Sequence, residues 1–143
     1  MQDRRVCLVT MPMKPDSVSS QKILVVDDNR DNRELVVKVL RNNGYRVIEA
    51  TDGEEALERA ETERPALILM DISLPKLDGY EVTRRLKGRD HFKGIPIVAL
   101  TAHAMKGDRE KALCAGCEGY ISKPINVREL PGQIKQFLKT EKE

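Results

Sequence analysis

The sequence contains no tryptophan, only two phenylalanines and three tyrosines, which leaves aromatic residues at 3% of the chain. It also lacks an excess of either charge, with 25 basic against 23 acidic side chains. No large single-sign field exists, which argues against wrapping by nucleic acid and against polybasic membrane binding. No apolar run approaches the roughly 18 residues that a membrane helix needs, so a soluble protein is predicted. The three cysteines are an odd number in a chain large enough to bury a core. That count points to a reducing compartment, the cytoplasm by default, and not to a disulfide scaffold. Cys114 and Cys117 have the CxxC spacing of a redox pair or a zinc half-site. A zinc site needs a second ligand pair, and a redox pair needs a helix start. CAGC instead closes a helical stretch, so these are read as small packing residues.

What is present is 40% apolar and 34% charged, enough for one compact domain. Residues 1–20, mixed in Met, Pro, Ser and Thr without an apolar period, read as a flexible N-terminal leader. The apolar stretch after Arg4 and Arg5 is short, carries Pro12 and is not followed by a small-residue cleavage site, which argues against a signal peptide. Residues 21–143 form the domain, and their 22 basic and 21 acidic groups keep it near neutrality.

From residue 22 short β-rich runs alternate with stretches of helical period, five times over. The strands are predicted at 22–26, 45–50, 66–70, 95–100 and 119–122. The first, third and fourth are apolar throughout, as central parallel strands covered on both faces should be. The second alternates and the fifth is short, which places them at the edges. Helical faces follow at Leu35, Val36, Val39 and Leu40; at Ala56, Leu57 and Ala60; at Val82 and Leu86; at Met105, Ala112 and Leu113; and at Leu130, Ile134, Phe137 and Leu138. Thr51 with Glu54, Asp78 with Glu81 and Asn126 with Glu129 have capping-box spacing. Five βα units predict an α/β fold with a doubly wound five-stranded parallel sheet and five helices.

Ligands of such sheets bind beyond the carboxyl ends of the strands, where strand order reverses. The residues following the strands are Asp27 and Asp28, Asp71, Thr101, and Lys123 with Pro124. Singly, each has a dull alternative as a helix cap, a turn residue or a solvated charge. Together, each at the end of its own strand, they describe a site. Three converging carboxylates require a cation, and oxygen-only ligands with room for water suit Mg²⁺ better than zinc. With Lys123 and Mg²⁺ the resting site is neutral, so a phosphoryl group becomes tolerable. Asp71, on the central strand, is the natural nucleophile for an acyl phosphate. The Thr101 hydroxyl and the Lys123 ammonium would bind phosphoryl oxygens.

The segments ILVVDDN (23–29), LILMDISLPKLDGYEV (67–82), PIVALTAHAMKGDREKAL (96–113) and GYISKP (119–124) resemble the receiver domain of two-component response regulators. The likeness runs from about Lys22 to Leu138, is strongest to single-domain cell-division regulators, and implies the flavodoxin-like strand order 2-1-3-4-5. It implies that Asp71 is the phosphoacceptor and that Asp27, Asp28, Asp71 and the backbone carbonyl of Ser73 hold Mg²⁺. It implies that Thr101 is the switch hydroxyl, that Lys123 contacts the phosphate, and that a cis peptide joins Lys123 to Pro124. Tyr120 is then the aromatic that turns inward on activation, making phosphorylation readable on the surface of the fourth helix, fifth strand and fifth helix. The implied partners are a histidine kinase or histidine phosphotransfer protein and a downstream protein target, with no nucleic acid and no membrane. Ser73 and His103, two residues beyond Asp71 and Thr101, flank the phosphoryl site in the family.

The resemblance implies a signalling phosphoacceptor that assists its own phosphorylation and dephosphorylation, not an enzyme. With no output domain after Glu143, the expected roles are a diffusible switch or a phosphorelay intermediate of the hybrid-kinase type. A haloacid dehalogenase-like phosphatase would need its acids two residues apart, whereas Asp27 and Asp28 are adjacent. A flavodoxin-like FMN site would need a Ser, Thr and Gly loop where this chain has DDNRDN, and tryptophan is absent. Pro131 and Gly132 interrupt the fifth helical pattern. An irregular turn is therefore predicted over 126–131, with the regular helix from about Pro131 to Leu138.

Overall fold

The computed structural model describes residues 21–74, 79–101 and 106–142. The leader, Asp78, His103 and Met105 lie outside the described residues. Five parallel strands, β1 (Lys22–Val26), β2 (Arg46–Ala50), β3 (Leu67–Asp71), β4 (Ile97–Thr101) and β5 (Gly119–Ser122), lie in the order β2-β1-β3-β4-β5. They alternate with helices α1 (Arg30–Asn42), α2 (Gly53–Glu63), α3 (Gly79–Lys87), α4 (Lys106–Ala115) and α5 (Leu130–Lys142). A short 3-10 turn (Asp90–Phe92) precedes β4.

The period of two along each strand sorts the apolar residues into two cores. Ile23, Val25, Leu67, Leu69, Val98 and Leu100 pack with Val36, Val37 and Leu40 of α1 and with Leu130, Ile134 and Leu138 of α5. Leu24, Val26, Ile68, Met70, Ile97 and Ala99 pack with Ala56 and Ala60 of α2, Val82 and Leu86 of α3, and Ala112 of α4. The three central strands are buried from end to end apart from Lys22, so their sequences carry no alternation, as parallel strands covered on both faces require. Among the described residues no helix is long and apolar enough to cross a membrane.

Several local expectations shift by a residue or a turn. Asp71 and Thr101 are the last residues of β3 and β4 instead of the first residues beyond them, because the ladder continues through them: Asp71 pairs with Leu100, and Thr101 with Ser122. The N-cap of α2 is Asp52, not Thr51. Its carboxylate accepts from the Glu55 amide at 2.8 Å, while the Glu55 carboxylate accepts from the Thr51 amide at 2.8 Å. On α1 the inward stripe is Arg33, Val36, Val37 and Leu40, which leaves Leu35 exposed. On α4 the small Ala112 and Ala115 face inward and Leu113 is exposed.

At the fifth helix, the Asn126 side chain accepts from the amides of Arg128 and Glu129 at 3.0 and 3.2 Å, closing a turn. Regular helix begins at Leu130, one residue before the expected start, so Pro131 lies in the first turn, where its missing N–H costs nothing. The helix then runs past Leu138 to Lys142. CAGC does close α4: Gly116, at φ 111°, takes the left-handed conformation that ends the helix. The Cys117 thiol is buried, and that burial pushes its pKa up to about 11. A thiol so far from ionisation is a packing group, not a redox centre.

Candidate functional site at the carboxyl ends of the strands

Strand register alone brings the acids together. Val26 of β1 lies opposite Met70 of β3, so the next residue on each strand, Asp27 and Asp71, face one another. Carboxylate oxygens of Asp27, Asp28 and Asp71 all lie within 4.8 Å of one another. Asp27 and Asp71 are buried and Asp28 is exposed, so the cluster opens to solvent on one side. Among the described residues only Asp27, Asp71, Thr83 and Thr101 are buried polar side chains. Three of those four are site candidates, which matters because a buried charge without a partner is costly.

Lys123 supplies the compensation. Its ammonium sits 3.2 Å from Asp27 Oδ2 and 3.3 Å from Asp71 Oδ2. Burial works against that positive charge, but the Asp71 and Asp27 carboxylates outweigh it and raise the lysine pKa further. The contact with Asp27 Oδ2 is an ion pair without hydrogen-bond alignment, so that buried oxygen lacks a hydrogen-bond donor. Asp27 Oδ1, by contrast, accepts from the Asn29 amide at 2.9 Å. Asp71 Oδ1 accepts from the Ser73 amide at 3.0 Å, which draws the segment after β3 over the carboxylate. Burial pushes the Asp71 pKa up to about 6, the Asp27 charge adding to the rise while the Ser73 N–H and Lys123 oppose it.

The remaining candidates frame this cluster. Thr101 is buried at the end of β4, and its carbonyl accepts from the Lys123 amide at 2.7 Å. The Lys123–Pro124 peptide is cis. Tyr120 on β5 is half-buried against the core on the α2, α3 and α4 side. Beyond it, a cleft of about 490 Å³ is lined by Tyr120, Ser122, Pro124, Asn126, Glu129 and Gln133.

Two contributors escape the sequence reading. Gly79 opens α3 directly against the backbone of Asp71: a Cβ there would lie 2.4 Å from the Asp71 carbonyl oxygen and 2.8 Å from Ile72 Cα. Only glycine permits that approach. Arg33 of α1 donates to the Asp27 carbonyl at 2.9 Å and to the Glu49 carboxylate at 3.0 Å. Its signal in the sequence is its place on the inward stripe of α1, where an arginine needs a reason.

An all-oxygen cluster with an under-satisfied buried carboxylate oxygen, open on one side, suits a hard dication that keeps part of its water shell. Residues 23–135 match the response regulator receiver domain model, and the chain belongs to that family. It is therefore a receiver domain of two-component signalling, a class of signalling proteins distinct from enzymes in the usual sense. The chain is similar to the polar-differentiation response regulator DivK of Brucella anthropi, 46% identical over 118 residues that cover 82% of this chain and 96% of that protein. DivK of Brucella ovis is 44% identical over 119 residues, covering 83% and 97% of the two chains. Among solved structures it is similar to the receiver domain of a sensor histidine kinase from Pseudomonas aeruginosa, which has a magnesium ion coordinated in its active-site cleft. The TM-score is 0.78 at 42% identity, covering 84% of this chain and 98% of that one. The chemotaxis response regulator CheY4 of Vibrio cholerae gives a TM-score of 0.79 at 30% identity, covering 82% of this chain and 98% of the other.

Proposed function

We propose that in the cytoplasm Asp71 accepts a phosphoryl group from a histidine kinase or histidine phosphotransfer protein, and that the product switches the α4/β5/α5 surface toward a downstream target. A carboxylate oxygen of Asp71 attacks phosphorus, the P–N bond to the donor imidazole breaks, and the imidazole leaves with the electron pair and takes up a proton. Asp27, Asp28, Asp71 and the Ser73 carbonyl would hold Mg²⁺, which neutralises charge developing on the phosphoryl oxygens. Lys123, already 3.3 Å from Asp71, is placed to receive one of those oxygens, and the Thr101 hydroxyl another. Tyr120 lies beside the cleft at β5 and α5, where a shift of Thr101 would be read by a partner. The same groups, acting on water, would assist loss of the phosphoryl group.

The observation that carries this reading is the ion-paired trio of Asp27, Asp71 and Lys123 at the sheet's switch point. A second role, passing the phosphoryl group onward as a relay intermediate, draws support from the 42% identity to the receiver of a sensor kinase. The test is labelling by acetyl phosphate. Base-labile label should appear on Asp71 with Mg²⁺, vanish in EDTA and be absent from Asp71→Asn. Thr101→Ala should still take label yet lose the gain in partner affinity that beryllofluoride gives the wild type. Labelling of Asp71→Asn at the wild-type level would refute the assignment.

A further inference from the structure

Asp28 is the exposed member of the acid cluster, and no partner among the described residues holds its carboxylate. Its direction is set by its backbone, through the peptide that joins it to Asp27. That peptide is gripped from the side. Arg33, only 14% exposed, donates from Nη1 to the Asp27 carbonyl at 2.9 Å and from Nε to Glu49 at 3.0 Å. Glu49 lies on β2, one residue before Ala50, whose carbonyl accepts from the Asp27 amide at 3.1 Å. The two sides of Asp27 are thus both tied to β2, its N–H through the sheet and its carbonyl through the guanidinium fork. A planar fork with two fixed acceptors resists rotation in a way that a single flexible ammonium does not.

We infer that Arg33, braced on Glu49, is a positioning residue of the cation site. It fixes the Asp27–Asp28 peptide, and hence the direction in which both carboxylates are offered to Mg²⁺. The inference rests on the proposed function, in which those carboxylates are the metal ligands. It makes a prediction of opposite sign to simple electrostatics. Removing a positive charge near a dication site should tighten binding by relieving Coulomb repulsion. Loss of a brace should weaken it, and removing outer contacts of metal ligands typically costs about tenfold or more in affinity.

The experiment uses the full chain and titrates Mn²⁺ by EPR, with Mg²⁺ as competitor. Folding of each variant is verified by circular dichroism, at a temperature well below every melting point. Arg33→Gln should raise the Mn²⁺ and Mg²⁺ dissociation constants about tenfold. Arg33→Lys, which keeps the charge but loses the fork, should raise them severalfold and serves alone if the glutamine variant does not fold. Glu49→Gln should weaken binding in the wild type and add nothing in an Arg33→Gln background, because Glu49 acts through Arg33. Unchanged or tighter binding in either Arg33 variant, or full additivity of the Glu49 substitution, overturns the brace. If the wild type itself binds neither ion, it is the reading of the site that fails, and the brace with it. If the wild type binds and Asp71 is labelled while the Arg33 variants bind like the wild type, only the brace fails.

Discussion

Asp71→Asn removes a charge that the folded chain holds at a cost whenever no dication is near. Burial lifts the folded-state pKa from 3.8 to about 6, and the Asp27 charge adds to the rise. Ionising Asp71 is therefore harder in the folded than in the unfolded chain by at most about 3 kcal/mol. The sign follows from proton counting. Below the lower value both states carry the proton and no penalty exists. Between the two values the folded state binds more protons, so stability falls as pH rises, and above the upper value the penalty is complete. Asparagine keeps an acceptor for the Ser73 amide and never ionises. In EDTA at about pH 7.5 the variant should melt higher than the wild type, by roughly 10 °C if the whole penalty is relieved. At about pH 4 the gap should close, since the wild-type carboxyl is then largely protonated. Millimolar Mg²⁺ at the higher pH should close it from the other side, raising the wild type more than the variant. Thermal scans by circular dichroism measure all three conditions. Equal melting points near neutrality in EDTA, or a gap as large in acid, would refute the reasoning.

Gly119→Ala puts a Cβ 2.4 Å from Phe137 Cζ, so the ring must leave its place over β5. Urea denaturation should show a loss of about 1–3 kcal/mol, partly restored by adding Phe137→Leu, and a loss below about 0.5 kcal/mol would show that α5 yields freely. Iodoacetamide at near-neutral pH should modify the exposed Cys114 and spare the buried Cys117, whose pKa is pushed up to about 11, until urea unfolds the chain. Equal labelling of both in the native state, read by peptide mass spectrometry, would contradict the burial.

The sheet was legible because its central strands are buried on both faces, which removes the polar half of the strand period and leaves continuous apolar runs. The site was legible for a related reason: in a parallel sheet the residue at each strand's carboxyl end reaches a shared crevice, so Asp27, Asp71, Thr101 and Lys123 could be gathered from four distant segments. What the sequence could not resolve lies within one residue or one turn. Leu35 and Val37 lie about 100° to either side of Val36, so apolar periodicity could not decide the rotation of α1. Thr51 and Asp52 are both good caps, and only the backbone decides between them. Arg33 goes unmarked in the sequence beyond its helical face, because its acceptors, a carbonyl six residues back and a carboxylate on β2, meet it only in the folded chain. Gly79 goes unmarked because close backbone approach is a property of two segments at once.

Lys123 comes late in the chain. Asp27 and Asp71 stand at the carboxyl ends of the first and third strands, whereas Lys123 follows the fifth, and a domain of this kind folds as a unit. Without the segment after β5, β1, β3 and β4 would hold two facing acids with no ammonium between them, which works against closing the crevice. The last strand therefore brings more than an edge to the sheet. It carries the ammonium that offsets the two facing carboxylates, so the edge strand and the acids two and three strands away are held in one electrostatic unit.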